Sequence, residues 1–216
     1  MPAGTLYLIP VPLGNVSIES SLPADALATI RPIRHFVVEN AKSARVVLKA
    51  IATETPLQAL ELKELSEHTP FAELDALLAP LRAGHHLGLL SEAGCPAIAD
   101  PGANLVAKAQ AENIRVVPLI GPSSIILALM GSGMNGQRFA FHGYLPVKEA
   151  ARTQEIRSLE LESRKRNQTQ LFIETPYRNL ALFDALLKVC QPDTRLCLAT
   201  SLSLPDEAIT TKTIRQ

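Results

Sequence analysis

Three carboxylates stand where apolar runs give way to loops. Glu39 follows Phe36-Val37-Val38, Glu92 lies in Ser91-Glu92-Ala93-Gly94 just past Leu89-Leu90, and Glu174 follows Phe172-Ile173. In an open parallel sheet, small ligands sit beyond the carboxyl ends of the strands, and a carboxylate placed there can accept a hydrogen bond from a ligand hydroxyl. Residues 91–94 carry little side-chain bulk, so their backbone can approach a ligand closely. This loop is the expected ligand site. Pro12-Leu13-Gly14 follows the first apolar run in the same manner, and reads either as a loop presenting amides or as an ordinary turn. Glu39 has a local alternative too: Asn40 can cap a helix opening at Ala41, with Glu39 merely near its positive end. Glu174 can equally be a helix-start carboxylate. Ser123 and Ser124, in Gly121-Pro122-Ser123-Ser124, join the halves of the chain, where helix-terminal amides and hydroxyls can face an interdomain cleft.

Other chemistries lack their signatures. The sequence holds no G-x-x-x-x-G-K-[ST], no G-x-S-x-G and no H-E-x-x-H. Its five histidines and three cysteines show no metal-ligand spacing, so no metal is expected. Cys95 reads as a small apolar filler rather than a nucleophile. Between 148 and 166, six lysines and arginines face four glutamates, a weak footprint for RNA that a solvated helix face also explains.

The elements that must position these residues alternate. Strands are expected at 6–9, 35–38, 57–60, 86–90 and 115–117, with helices near 22–30, 41–52, 70–83 and 101–112. Such alternation specifies βαβ units and a parallel five-stranded sheet. Thr69-Pro70, Asp100-Pro101 and Thr175-Pro176 each predict a capping oxygen followed by proline at the first helical position. After Pro118 come helices at 124–130, 148–163 and 177–190, and strands at 139–142, 170–173, 195–199 and 209–213. Two terminal strands with no helix between them predict a mixed sheet. The fold class is therefore α/β with two α/β domains, 1–118 and 119–216. Lysine plus arginine and aspartate plus glutamate both number 21, so net charge is zero, which argues against strong non-specific nucleic-acid binding. No run approaches the roughly 20 apolar residues of a membrane span, and an odd cysteine count suits a reducing compartment. A cytoplasmic location is expected.

Taken in order, the motifs resemble those of the tetrapyrrole methylase superfamily of S-adenosylmethionine-dependent methyltransferases. Within it they are most similar to the branch that methylates a cytidine 2′-hydroxyl of ribosomal small-subunit RNA. The likeness rests on Pro12-Leu13-Gly14-Asn15, on Ser91-Glu92-Ala93-Gly94-Cys95-Pro96 followed by Asp100-Pro101-Gly102, on residues 117–123, and on residues 172–178. Departures are Glu92 for the branch's aspartate, Cys95 for its threonine, and Val38-Glu39-Asn40-Ala41-Lys42 after the second strand. The resemblance implies a cofactor cleft between the two domains, a homodimer, and a further strand after the last one here. It implies contacts to S-adenosylmethionine from Pro12, Leu13, Gly14, Ser91, Glu92, Ala93, Gly94, Ile98, Ser123, Ser124, Ile173, Glu174 and Ala199. A hydroxyl acceptor would use a general base, for which Glu39, Glu92 and Glu174 are the candidates. Alternative acceptors are a tetrapyrrole or another small molecule, and a binding module without activity is the third reading.

Overall fold

The computed structural model describes residues 2–216. Two compact units divide between Ser123 and Ser124. The boundary drawn from sequence lay five residues earlier. Residues 119–123 stay with the first unit because Leu119 N donates to Leu8 O at 2.9 Å and Gly121 lies tight against Pro10.

Unit 1 is a five-stranded parallel sheet of β1 (Thr5–Ile9), β2 (His35–Val38), β3 (Glu61–Glu64), β4 (Leu87–Leu90) and β5 (Arg115–Pro118), in the order β3-β2-β4-β1-β5. Every residue of β4 is buried, as a central strand covered on both faces requires. Connections running toward β3 use α1 (Ile18–Ser21), α2 (Ala24–Ile30) and α3 (Ala41–Ile51), whose Ile18, Leu27, Ile30, Leu48 and Ile51 pack together over one face. Connections running the other way use α4 (Leu74–Arg82) and α5 (Ala103–Ala111), whose Leu74, Leu78, Leu81, Leu105 and Ala109 pack over the opposite face. The chain thus leaves the adjacent strands β1 and β4 in opposite directions. A crevice opens at such a switch point.

Unit 2 contains α6 (Ser124–Ser132), β6 (Phe139–Tyr144), α7 (Glu149–Arg166), β7 (Thr169–Ile173), α8 (Asn179–Val189), β8 (Arg195–Thr200) and β9 (Ala208–Thr213). Strands β6 and β7 pair parallel, and β8 and β9 pair antiparallel. The mixed sheet expected here is two separate two-stranded ladders instead. Both lie against one helical layer, since Phe172 of β7 and Leu196 of β8 pack on the cluster of Leu145, Ile156, Leu159, Leu182 and Leu186.

Two local expectations are corrected. Residues 57–59 form a 3-10 turn after Pro56, and the strand is Glu61–Glu64. Leu57 and Leu60 are apolar because they pack on the α3 face, whereas the true strand is a sheet edge whose Glu61, Lys63 and Glu64 are exposed. Charges on an edge oppose further strand pairing. Nor do the three proline-marked starts carry side-chain caps. Thr69 Oγ1 accepts from Ser66 N, Thr175 Oγ1 donates to Glu174, and the Asp100 carboxyl lies beside Ser91. The positions fare better than the caps: a 3-10 turn opens at Pro176 with Thr175 before it, another opens at Phe71, and only the α-helices begin later, at Leu74, Ala103 and Asn179. Asn40 does cap α3, accepting from Lys42 N at 2.8 Å and Ser43 N at 3.3 Å.

Candidate active site at the carboxyl edge of the parallel sheet

Three loops interlock beyond the ends of β1, β4 and β5. Val11 and Gly94 exchange both backbone hydrogen bonds, at 2.8 and 2.9 Å, which ties the loop after β1 to the loop after β4 across the switch point. Gly94 sits at φ +70°, and a Cβ built there would meet only Leu13 Cδ2 at 3.4 Å and Pro122 O at 3.8 Å. Glycine is needed here for its backbone angle, not for want of room. At Gly121 the reason is space: a Cβ would lie 2.3 Å from Pro10 Cβ. Cys95 Sγ donates to Pro122 O at 3.4 Å, and burial pushes its thiol up, so Cys95 joins loops and is no nucleophile. Cys190 is likewise pushed up, to about 11, by burial and then by Glu160. The segment from Gly94 to Gly102 turns sharply, with Ala97 at φ +66° and Ala99 at φ +62°. Left-handed alanines are strained, and strain of this kind gathers at ligand sites.

Carboxylates converge on this edge, and among the described residues Glu39, Glu92 and Asp100 form no ion pair. Glu39 Oε2 accepts from Glu92 N at 3.3 Å, and Glu92 Oε1 accepts from Ser43 Oγ at 2.9 Å. Burial raises the Glu39 carboxyl above its ordinary range, and the charges of Asp100, Glu92 and Glu67 add to this against the Glu92 amide bond. Asp100 is raised too, first by burial and then by Glu92 and Glu67, while a hydrogen bond from Ser91 pulls it down. Ser91 is buried, whereas Glu92, Ala93 and Ile98 are exposed at the loop tip. Among the described residues no three histidine, cysteine or carboxylate side chains converge as a metal-binding group.

Sequence reasoning placed Glu39 and Glu92 here together with Pro12, Leu13, Gly14, Ser91, Ala93, Gly94, Ile98 and Ser123, all within unit 1. It assigned Asp100 only a capping role and passed over Ser43 and Glu67. The available signal was an acid inside the glycine- and alanine-rich segment 93–102, where no helix-face or edge function needs one.

In unit 2, Ser124 opens α6, Ile173 ends β7, and Ala199 faces Ile209 within the β8-β9 ladder. Glu174 is 5% exposed and fully committed. Its Oε1 accepts from Thr175 N at 2.8 Å and Thr175 Oγ1 at 3.2 Å, and Arg178 Nη2 lies 2.9 Å from Oε2, an ion contact rather than a directed hydrogen bond. Arg178 in turn donates to Leu145 O. Its neighbours make Glu174 a clamp at the end of β7.

No protein-family model matches the chain. Curated relatives do. The chain is 34% identical over 209 residues to the ribosomal RNA small subunit methyltransferase I of Pseudomonas aeruginosa, covering 97% of this chain and 70% of that protein. It is 31% identical to the protein of the same name from Escherichia coli O157:H7, over 95% of this chain and 68% of that one. Among solved structures, the methyltransferase CobJ superposes with a TM-score of 0.64 at 14% identity, covering 100% of this chain and 88% of that one. Uroporphyrin-III C-methyltransferase from Thermus thermophilus superposes at 0.55 and 19% identity, covering 98% and 86%. At these identities the structural likeness establishes the fold alone.

Proposed function

Since the chain belongs to the ribosomal RNA small subunit methyltransferase I family, we propose that it moves a methyl group from S-adenosylmethionine to a cytidine 2′-hydroxyl of ribosomal RNA. The observation that carries the donor assignment is the set of carboxylates at the switch-point edge that form no ion pair among the described residues. Glu39, Glu92 and Asp100 repel one another there, and that repulsion is relieved by a ligand bearing positive charge. S-adenosylmethionine bears a sulfonium and an ammonium, and when bound it supplies an electrophilic methyl group. The small loop 91–94, bridged to Val11, offers backbone amides and carbonyls at close range. On this reading Pro12, Leu13, Gly14, residues 91–94, Ile98 and Ser123 hold the donor from unit 1.

The protein's part in such a displacement is mainly alignment, worth up to about 7–11 kcal/mol. Of the three candidate bases, Glu39 fits best. Its carboxyl is raised toward the working pH, and with Oε2 held by the Glu92 amide, Oε1 is the oxygen left to accept the hydroxyl proton. Glu174 is engaged on both oxygens, and Glu92 is exposed and shared with Ser43. The resemblance and the family also support a cytoplasmic homodimer. The exposed Tyr177 and Leu180, 85% and 80% accessible at the start of α8, are apolar surface a second copy can cover. The test is calorimetric titration with S-adenosylmethionine, followed by transfer of labelled methyl to small-subunit RNA and nucleoside analysis of the product. The expected product is 2′-O-methylcytidine. Donor binding without any label in RNA, or label on a base nitrogen or carbon, overturns the proposal.

A further inference from the structure

The zero net charge of the chain hides a local excess at one end of unit 2. Hydrogen bonds close a ring there. Asn135 Nδ2 donates to Asn167 O, and Arg138 lies beside Arg166 O at the amino ends of β6 and β7. Arg195 Nη2 donates to Gly133 O at 3.1 Å, so the start of β8 adjoins the end of α6. Arg215 donates its amide to Pro192 O, and Arg164 pairs with Asp193 at 2.9 Å, which returns the ring to α7.

The acids of this end are spent. Glu160 accepts from Gln191 N and Thr194 Oγ1, Asp193 is held by Arg164, and Glu162 by Arg166. Arg138, Lys165, Arg195 and Arg215 are all exposed and form no ion pair among the described residues. The dipole of α7 accounts for Lys165 and its neighbours in the last helical turn. It does not account for Arg138, Arg195 and Arg215, which come from three other segments. Four free cations from four segments around one rim match a phosphate backbone, whose charges recur along a line. Thr169 to Glu174 spans five strand steps, so the rim lies roughly 15 Å from the carboxyl end of β7.

We propose that this rim, at the amino ends of β6, β7 and β8, binds the phosphate backbone of the RNA substrate away from the methylated nucleotide. The inference rests on RNA being the substrate and adds where a second stretch of it lies. A substrate reaching both sites must be longer than a few nucleotides, and the rim contributes to its binding and not to the chemical step.

The experiment compares the wild-type chain with R138Q/K165Q and with the charge-keeping R138K/K165R. Binding to a labelled 40-nucleotide RNA is followed by anisotropy from 50 to 300 mM salt, alongside calorimetry with S-adenosylmethionine. Four phosphate contacts give a slope of log affinity against log salt of about −3, and removing two makes it shallower by about 1.5. The corresponding loss at 0.1 M salt is about 10- to 50-fold, with KM for long RNA rising alike, kcat unchanged, donor affinity unchanged and R138K/K165R restoring binding. Unchanged RNA affinity and slope in R138Q/K165Q overturn the rim while leaving the RNA methyltransferase reading intact. A wild-type protein that binds donor but no RNA overturns both. Retention on phosphatidylserine vesicles that R138Q/K165Q abolishes, with RNA affinity unchanged, reassigns the rim to a membrane surface and overturns the proposal.

Discussion

Gly121→Ala tests whether the three loops form one platform. The added methyl would lie 2.3 Å from Pro10 Cβ, 2.6 Å from Pro10 Cγ and 2.9 Å from Leu22 Cδ2, while ordinary contact begins near 3.4 Å. A proline ring cannot rotate aside, so one loop must retreat by about 1 Å. Overpacking of this kind costs about 1–3 kcal/mol. For a unit of this size that corresponds to a fall in Tm of roughly 5–15 °C. The displacement also moves Pro122, which contacts Cys95, and through it the loop carrying Gly94. Misplacement by 1 Å at a site can reduce function about 100-fold. The assays are thermal unfolding by circular dichroism and calorimetric titration with S-adenosylmethionine. We expect lower Tm together with weaker donor binding. A variant that melts within 1 °C of wild type and binds donor equally well refutes the interlocked platform.

Three further outcomes follow from the charged groups. Glu39 and Asp100 titrate above their unfolded values, so the folded state holds protons that the unfolded state has released; stability declines as pH rises from the ordinary carboxylate range through the raised one. E39Q and D100N should therefore raise the urea midpoint at pH 7 and flatten its decline above pH 4, and profiles parallel to wild type contradict the cluster. Asp75 and Glu112, held low by Arg82, have the opposite sign: their contribution is present above the ordinary range and fades as pH falls, so R82Q alters only the acidic side of the profile. E174Q strips the half-buried Arg178 of its charge partner and should cost about 1–3 kcal/mol in denaturant unfolding while leaving kcat within a few-fold. A drop in kcat beyond 100-fold with unchanged donor binding would return Glu174 to the list of bases.

Much of unit 1 was legible because short apolar runs alternate with amphipathic helices. The buried run Leu87–Leu90, followed at once by Ser-Glu-Ala-Gly, announces a central strand and the loop at its tip. The edge strand Glu61–Glu64 was hidden, since an edge is half-solvated and its sequence resembles a loop. Asn40 was recognisable as a cap from its place before Ala41. Thr69, Asp100 and Thr175 look alike in sequence and cap nothing, because the partners that claim their oxygens are set by folding.

The amino-acid order alone determined the α/β class, the parallel five-stranded sheet and the strand-tip positions of Glu39, Glu92 and Glu174. Burial periodicity and turn residues are local, and a chain displays them without folding. Only tertiary structure decided that Glu39, Glu92 and Asp100, spread over 61 residues, share one field while Glu174 is neutralised by Arg178. Only it gathered Arg138, Lys165, Arg195 and Arg215 into one rim of a chain whose net charge is zero. Electrostatic neighbours are fixed by distance in space, and sequence separation carries no record of it.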